Sequence, residues 1–300
     1  MTMKLTMLGT AAGAPTPERG HTGVVLSHEG RVFLFDCGEN AQVKLQEAGA
    51  KFMRINEVFI THFHGDHFFG LPGFLFSMSL AERTKGIALY GPRGAAVEFD
   101  RVATMGHQQL KYVIESHEVR SGVVYSTDRF RVEASPVEHG NVPAVAYAFI
   151  EEDRFKIDRA KAAELGLENS PHLSRLQMGR TVEHDGGTVG PDDVASRVVP
   201  GRKVVYSGDT RPCGAVRKLA QGADVLVHES TYSATDADRA KEFGHSTTVE
   251  AATVAREAGV KRLILTHISK RYDDPDALLA EAREVFPATD IAFDLMSLEV

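Results

Sequence analysis

Six consecutive residues, His62-Phe63-His64-Gly65-Asp66-His67, place three imidazoles and a carboxylate directly behind the apolar run Glu57–Thr61. On extended backbone alternate side chains share a face, so His62 and His64 point the same way. Gly65 permits a sharp turn, which brings Asp66 and His67 round to the same place. So dense a set of donors makes chemical sense around a metal ion. Imidazoles with a carboxylate are donors that suit zinc. A chain carrying this motif has to end a strand there and bring further ligands to that strand end.

The remainder of the chain supplies them. His139 follows the strand-like Arg131–Ala134, within Val137-Glu-His-Gly140. Asp209 closes Val204-Val-Tyr-Ser-Gly-Asp209, and His267 closes Leu263-Ile-Leu-Thr-His267. Each stands where a strand gives way to a loop. Two ions in one site need more ligands than the motif holds, with one carboxylate between them.

Short β runs alternate with helical stretches along the whole chain. Strands are expected at Lys4–Leu8, Gly23–Ser27, Arg31–Phe35, Glu57–Thr61, Ile87–Tyr90 and Arg129–Ala134. Further strands are expected at Ala144–Ile150, Lys203–Ser207, Val225–His228, Leu263–Thr266 and Ile291–Phe293. Asp274-Pro275 opens a helix over Pro275–Val285, with an N-cap before a proline at the first helical position. Thr247-x-x-Glu250 is a capping box heading Thr247–Ala258, with Gly259 to stop it. Pro92–Met105 and Pro212–Ala220 are two more helices. This alternation implies a layered α/β architecture. A weak internal echo sharpens it. Each half holds a strand leading to an aspartate (Asp36, Asp209) and then a strand ending in Thr-His (His62, His267). Two such halves facing each other bring both sets of strand ends to one edge.

Between the halves lies the polar segment 151–201, with Gly186-Gly187-Thr-Val-Gly190 and prolines at 171, 191 and 200. One helix is expected in it, Asp158–Leu165 with Gly166 as its stop. A stretch of that length between core strands is an insertion with its own task or a disordered segment.

Composition bounds the rest. Hydrophobic residues are 43 % and charged residues 25 %, which excludes disordered, collagenous and disulfide-stapled classes. Cys37 and Cys213 form no C-x-x-C pair and are expected as reduced thiols, consistent with an intracellular, cytoplasmic location. No apolar run approaches a membrane span, and the N-terminal residues run straight into a first strand and a glycine-rich turn. A net charge of −7 speaks against a broadly basic nucleic-acid surface, although a local patch or bound metal reverses the sign where it acts.

These residues carry a resemblance. H-x-H-x-D-H over His62–His67 is similar to the signature of the metallo-β-lactamase superfamily. More narrowly, the chain resembles the ribonuclease Z family along nearly all of its length. The likeness runs through Leu8-Gly-Thr-Ala-Ala-Gly-Ala-Pro15, Phe35-Asp-Cys-Gly-Glu39, Ile60–Gly73, Tyr90-Gly-Pro92 and Gly208-Asp-Thr210. It continues through His228-Glu-Ser-Thr-Tyr232, Gly244-His-Ser-Thr-Thr248 and Leu265-Thr-His-Ile-Ser-x-Arg-Tyr272. The His-Glu-Ser-Thr and Gly-His-Ser-Thr segments are the parts specific to the ribonuclease Z branch.

The resemblance implies a four-layer αββα sandwich over residues 1–300, with 151–201 as an inserted substrate-binding arm. It implies one zinc ion held by His62, His64 and His139, another by Asp66, His67 and His267, and Asp209 between them. Manganese or cobalt suits the same ligands. It implies Asp66 as proton acceptor, His245 as proton donor to the leaving group, and Glu229 as the group orienting His245. The implied substrate is precursor tRNA, cut to leave a 3′-hydroxyl on the tRNA and a 5′-phosphate on the trailer. The implied assembly is a homodimer in which one subunit's arm serves the other's site. The family's arm carries a Gly-Pro pair; here the stretch is Ser170-Pro171-His172-Leu173, without the glycine.

Other residues receive plainer readings. Asp36 is expected to hold a ligand imidazole by a hydrogen bond, and His228 to pack at a strand end. Gly9–Pro15 lacks the Lys-Ser/Thr of a phosphate loop and reads as a turn beside the site. Arg271 serves either an RNA phosphate or a surface salt bridge. His21, His28, His107, His117, His172 and His184 are expected at the surface. The competing reading is a small-molecule hydrolase on the same scaffold: a cyclic-nucleotide or aryl phosphodiesterase, an arylsulfatase or a lactonase. A non-catalytic RNA-binding protein is a third.

Overall fold

Every residue of Val32–Phe35 is apolar, which a strand sustains only when both its faces are covered. In the computed structural model, which describes residues 2–107 and 109–300, this is where the segment lies. Phe33 and Phe35 face a central core, while Val32 and Leu34 face helices on the other side. The single domain expected over 1–300 thus has Met1 and Gln108 outside the described residues.

Two seven-stranded sheets pack face to face. The first runs in the order Ser297–Glu299, Met3–Gly9, Gly23–His28, Arg31–Phe35, Ile55–Phe59, Ile87–Gly91, Ile114–Glu118. The second runs Thr289–Ile291, Arg262–Thr266, Val225–Glu229, Lys203–Tyr206, Val145–Glu151, Phe130–Pro136, Gly122–Ser126. In each sheet one half is parallel and feeds helices on its outer face. Leu71–Leu80 and Ala95–Ala103 cover the first sheet through Phe74, Leu75 and Phe99. Gly214–Leu219, Thr248–Ala258 and Pro275–Val285 cover the second. There small side chains such as Ala251, Ala252 and Ala255 let a helix approach the strands closely. The aromatic residues Phe33, Phe59, Tyr147 and Phe149 fill the layer between the sheets. The result is the four-layer αββα sandwich.

Helix ends follow their sequence signals. The Thr247 hydroxyl accepts from the Glu250 amide and the Glu250 carboxylate accepts from the Thr247 amide, while Gly259 ends the helix at φ 63°. Asp274 caps Pro275–Val285. Several elements depart from the sequence reading. The last strand of the second sheet is Thr289–Ile291, not Ile291–Phe293, because Asp294 is drawn into the loops by Thr10 and the Gly20 amide. Ile114–Glu118 and Gly122–Ser126 are edge strands with largely solvated sides, so they lack the apolar signature of the interior strands.

The segment 151–201 holds more structure than the one helix expected. Arg154–Ile157 pairs with Ala195–Val199, Val182–His184 pairs with Gly187–Val189, and helices Arg159–Glu164, His172–Gln177 and Pro191–Val194 lie between. Ala162, Leu167, Leu176, Val182, Val189 and Val194 give it a small core of its own. Each apolar position is isolated in sequence, so only tertiary packing reveals it. At Ser170-Pro171 the serine hydroxyl accepts from the His172 amide and Pro171 caps a helix, so the turn forms without glycine.

Candidate metal centre

Both sheets send the C-terminal ends of parallel strands to one edge. His62 follows Ile55–Phe59, and Gly65–Phe68 makes a single helical turn that swings Asp66 and His67 back beside it. Asp209 follows Lys203–Tyr206, His267 follows Arg262–Thr266, and His139 stands in the loop after Phe130–Pro136. Gly208 makes the turn before Asp209 at φ 57°, and a Cβ there would meet the Thr61 side chain at 2.7 Å. His267 itself adopts φ 58°, a strained backbone that a non-glycine residue occupies at a cost of about 1–2 kcal/mol.

Ligand atoms of His62, His64, His139 and Asp209 lie within 4.8 Å of one another, and so do those of Asp66, His67 and His267. Asp209 stands between the two sets. Its Oδ1 is 3.2 Å from His67 Nε2, and its Oδ2 is 3.4 Å from His267 Nε2 and 3.7 Å from His62 Nε2. All seven residues named from the sequence therefore meet at one edge.

The outer nitrogens of four rings are already engaged. His67 Nδ1 donates to Asp36 Oδ2 at 2.7 Å and His139 Nδ1 donates to the Gly244 carbonyl at 2.9 Å. His267 Nδ1 donates to Thr231 Oγ1 at 2.8 Å, and His62 Nδ1 to Thr61 Oγ1 at 3.1 Å. A neutral imidazole protonated at Nδ1 carries its lone pair on Nε2. Four lone pairs thus converge on Asp209. The Nε2 of His62 and Oδ1 of Asp209 are buried without a hydrogen-bond partner, a costly arrangement unless a cation compensates it. The donor set fits one or two divalent ions, with five imidazoles and two carboxylates and no thiolate.

Electrostatics agree with that fit. Burial drives His62 well toward its neutral form. Burial would raise the carboxyls of Asp66 and Asp209, but the surrounding imidazoles outweigh it and hold both below the usual range. Asp36 meets its expectation as the holder of a ligand ring. Completely buried, it also accepts from the Thr61 amide and hydroxyl and from the Tyr206 hydroxyl.

At the rim, Gly244 at φ 76° lets the chain pass tightly over His139, where a Cβ would lie 2.6 Å from the Gly140 nitrogen. His245 follows, with Nδ1 donating to Glu229 Oε1 at 2.9 Å and standing 3.9 Å from Asp209. Burial lowers the His245 pKa, but the Glu229 charge and hydrogen bond dominate and push it up to about 9. Glu229 is fixed by the amides of Thr210, Ser246 and Thr231 and by the Thr231 hydroxyl. Thr231 was not singled out by sequence reasoning. Its place in His228-Glu-Ser-Thr was visible, but its double role, holding Glu229 and His267 at once, is not local. His228 packs at the strand end as expected, with Nδ1 on the Glu229 carbonyl.

Two expected surface histidines are not free at the surface: His28 is buried and His21 is half-buried. His28 lies against Phe130 and Phe149, and His21 is held by the Gly13 carbonyl. Strand pairing and loop packing cover them, which a solitary histidine does not signal. Gly9–Pro15 is a turn beside the site, and its Gly13 amide donates to Asp66 Oδ2 at 2.8 Å. Arg271 lies over the Tyr232 ring at 5.0 Å and donates to Ser269.

Comparison with known proteins gives a consistent picture. Residues 147–268 match the family model of the beta-lactamase superfamily domain, and residues 3–159 match that of the anti-Pycsar protein Apyc1. A ribonuclease Z of Methanothermobacter thermautotrophicus is 46 % identical over 298 residues, covering 99 % of this chain and 97 % of the relative. A ribonuclease Z of Myxococcus xanthus is 42 % identical, covering 99 % and 98 %. Among solved structures, the short form of human tRNase Z is similar at 31 % identity and a TM-score of 0.69, covering 98 % of each chain.

Proposed function

The chain belongs to the ribonuclease Z family, and on that premise we propose that it is a zinc-dependent endoribonuclease that removes the 3′ trailer from precursor tRNA. Full-length relatives carry this reading, where each family model spans only part of the chain. The observation behind the mechanism is the convergence of imidazole lone pairs on Asp209 beside the His245–Glu229 pair.

In this proposal His62, His64 and His139 would hold one zinc ion and Asp66, His67 and His267 the other, with Asp209 within reach of both sets. When bound, the ions neutralise phosphate charge and lower the pKa of an attacking water. The Asp66 carboxylate, kept ionised by its imidazole neighbours, accepts the proton that this water gives up. Glu229 binds Nδ1 of His245, so the Nε2–H end is left to protonate the departing 3′ oxygen of the tRNA. The products are a tRNA with a 3′-hydroxyl and a trailer with a 5′-phosphate. Such a positioned acid contributes about 10²–10⁴-fold.

Segment 151–201 serves in this reading as the arm that grips tRNA away from the cut. Arg159, Lys161 and Arg175 are exposed on it as candidate phosphate contacts, although its carboxylates outnumber its basic side chains. A homodimer completes the proposal, supported by the exposed apolar side chains Leu80, Val97, Met105 and Val113. No helix of the described residues is long and apolar enough to cross a membrane, and the proposed location is the cytoplasm. The test is cleavage of a 3′-extended tRNA by zinc-loaded protein, with end mapping and His64→Ala as control. Deleting 151–201 should abolish tRNA cleavage yet spare a small chromogenic diester. An intact tRNA after incubation with zinc-loaded wild type would overturn the proposal.

A further inference from the structure

The segment that carries His245 also fastens an arginine for which the mechanism has no use. The His245 amide donates to the Ala240 carbonyl at 2.8 Å, and the next carbonyl, that of Lys241, accepts from Arg211 Nη2 at 3.1 Å. From the other side the Arg211 amide donates to the Glu138 carbonyl at 2.9 Å, one residue before His139. Arg211 itself stands two residues after Asp209. Its guanidinium therefore sits at the rim where the His139 and His245 loops meet, on the side of the centre that holds the proton donor.

That guanidinium is largely unused within the protein. Among the described residues the Nη2 bond is its one hydrogen bond; Nη1 makes none and is not buried, and Nε is buried without an acceptor. No carboxylate of the described residues is ion-paired with it, whereas Arg101, Arg217 and Arg262 elsewhere on the surface each hold one. The Lys241 carbonyl belongs to the last turn of the helix Ala237–Phe243, so the bond it accepts serves that helix end and fixes the guanidinium in place. Phe243, two residues further on, is exposed, so this edge is open to solvent. A guanidinium held by one bond, with open donors and no carboxylate, suits a phosphate, because its planar fork can give an anion two parallel hydrogen bonds.

We propose that Arg211 binds the phosphate joining the last two nucleotides of the tRNA, one linkage before the cut. The side follows from the chemistry. His245 serves the 3′ oxygen of the last tRNA nucleotide, and the phosphate on the 5′ side of that same nucleotide is the next one along the strand. A phosphate contact carries no sequence information; it sets register. Here it holds the nucleotide whose oxygen departs against the Nε2–H end of His245, which makes Arg211 a positioning residue. A small diester, with a single phosphate, has nothing to place there. This assignment rests on the trailer-removal reading.

The test compares two 3′-extended tRNAs, one with a natural phosphate and one with an uncharged methylphosphonate at that linkage. Both carry a 2′-deoxyribose on the penultimate nucleotide, which protects the methylphosphonate from a neighbouring hydroxyl. kcat/KM is measured for wild type, Arg211→Gln and Arg211→Lys. Wild type should cut the methylphosphonate transcript about 10–100-fold more slowly, the size of a hydrogen bond to a charged group. Arg211→Gln should lose as much on the phosphate transcript and little further on the methylphosphonate one. Arg211→Lys, which keeps the charge without the fork, should fall between. On a nitrophenyl diester Arg211→Gln should lose much less than on tRNA. Equal wild-type rates on the two transcripts overturn the assignment, whether or not the variants fold. A methylphosphonate penalty as large in Arg211→Gln as in wild type does so too. So does an equal loss by that variant on tRNA and diester, which would make Arg211 a prop for the His139 and His245 loops. If wild type leaves even an unmodified 3′-extended tRNA intact, the trailer-removal reading itself fails.

Discussion

Replacing Asp36 with asparagine tests whether the metal centre is built from outside its ligands. The carboxylate is completely buried and accepts four hydrogen bonds, one at Oδ1 from the Thr61 amide and three at Oδ2 from Thr61, His67 and Tyr206. An asparagine carbonyl can keep the Thr61 amide. Its NH₂ then faces three donors. The two hydroxyls can rotate away; the imidazole cannot, except by moving its proton to Nε2. That would remove from the cluster the lone pair standing 3.2 Å from Asp209. Losing such a partner typically weakens metal affinity about 10–100-fold. Two charge-assisted hydrogen bonds lost at about 1.5–3 kcal/mol each would also lower stability by roughly 3–6 kcal/mol. Metal content after dialysis against graded chelator, read by mass spectrometry beside a thermal melt, measures both. Asp36→Asn protein that retains wild-type metal affinity would refute the idea that this carboxylate fixes the His67 tautomer.

Two further outcomes follow from other parts of the structure. His245→Ala should lower kcat on precursor tRNA by about 10²–10⁴-fold with little change in KM. It should act much less on a nitrophenyl diester, whose leaving group departs without a proton; Glu229→Gln should move the same way by less. Equal losses on both substrates would show that His245 is not the proton donor. Glu151 is held by Arg202 at 2.8 and 3.0 Å, and although burial opposes it, these bonds keep its carboxyl below the usual range. A depressed folded pKa gives stability that is present above the unfolded value and lost as pH falls through the folded one. Glu151→Gln should therefore be less stable at pH 7 by about 2 kcal/mol, with the gap closing in acid; a pH-independent gap in chemical denaturation would contradict the assignment.

The local parts of this protein were legible in its sequence. The spacing of His62, His64, Asp66 and His67 is set by one strand end and one turn, so a few residues determine it. Asp209 and His267 were visible for the same reason, each terminating an apolar run that had to be an interior strand. The capped helices at Thr248–Ala258 and Pro275–Val285 announce themselves through bonds made within three residues.

What lay outside the sequence depends on contacts between distant segments. Thr231 binds a residue two positions away and another thirty-six away, and only the second makes it part of the centre. The arm's core is assembled from single apolar residues spread over more than thirty positions, so no periodicity marks it. His21 reads as an ordinary surface histidine until the Gly13 turn closes over it and leaves one nitrogen buried without a partner. The chain order settles which donors exist and which strand ends carry them. Only packing the two sheets face to face decides which nitrogen of each ring is engaged from behind and which is left facing Asp209, because a tautomer is chosen by a neighbour that the local sequence does not contain.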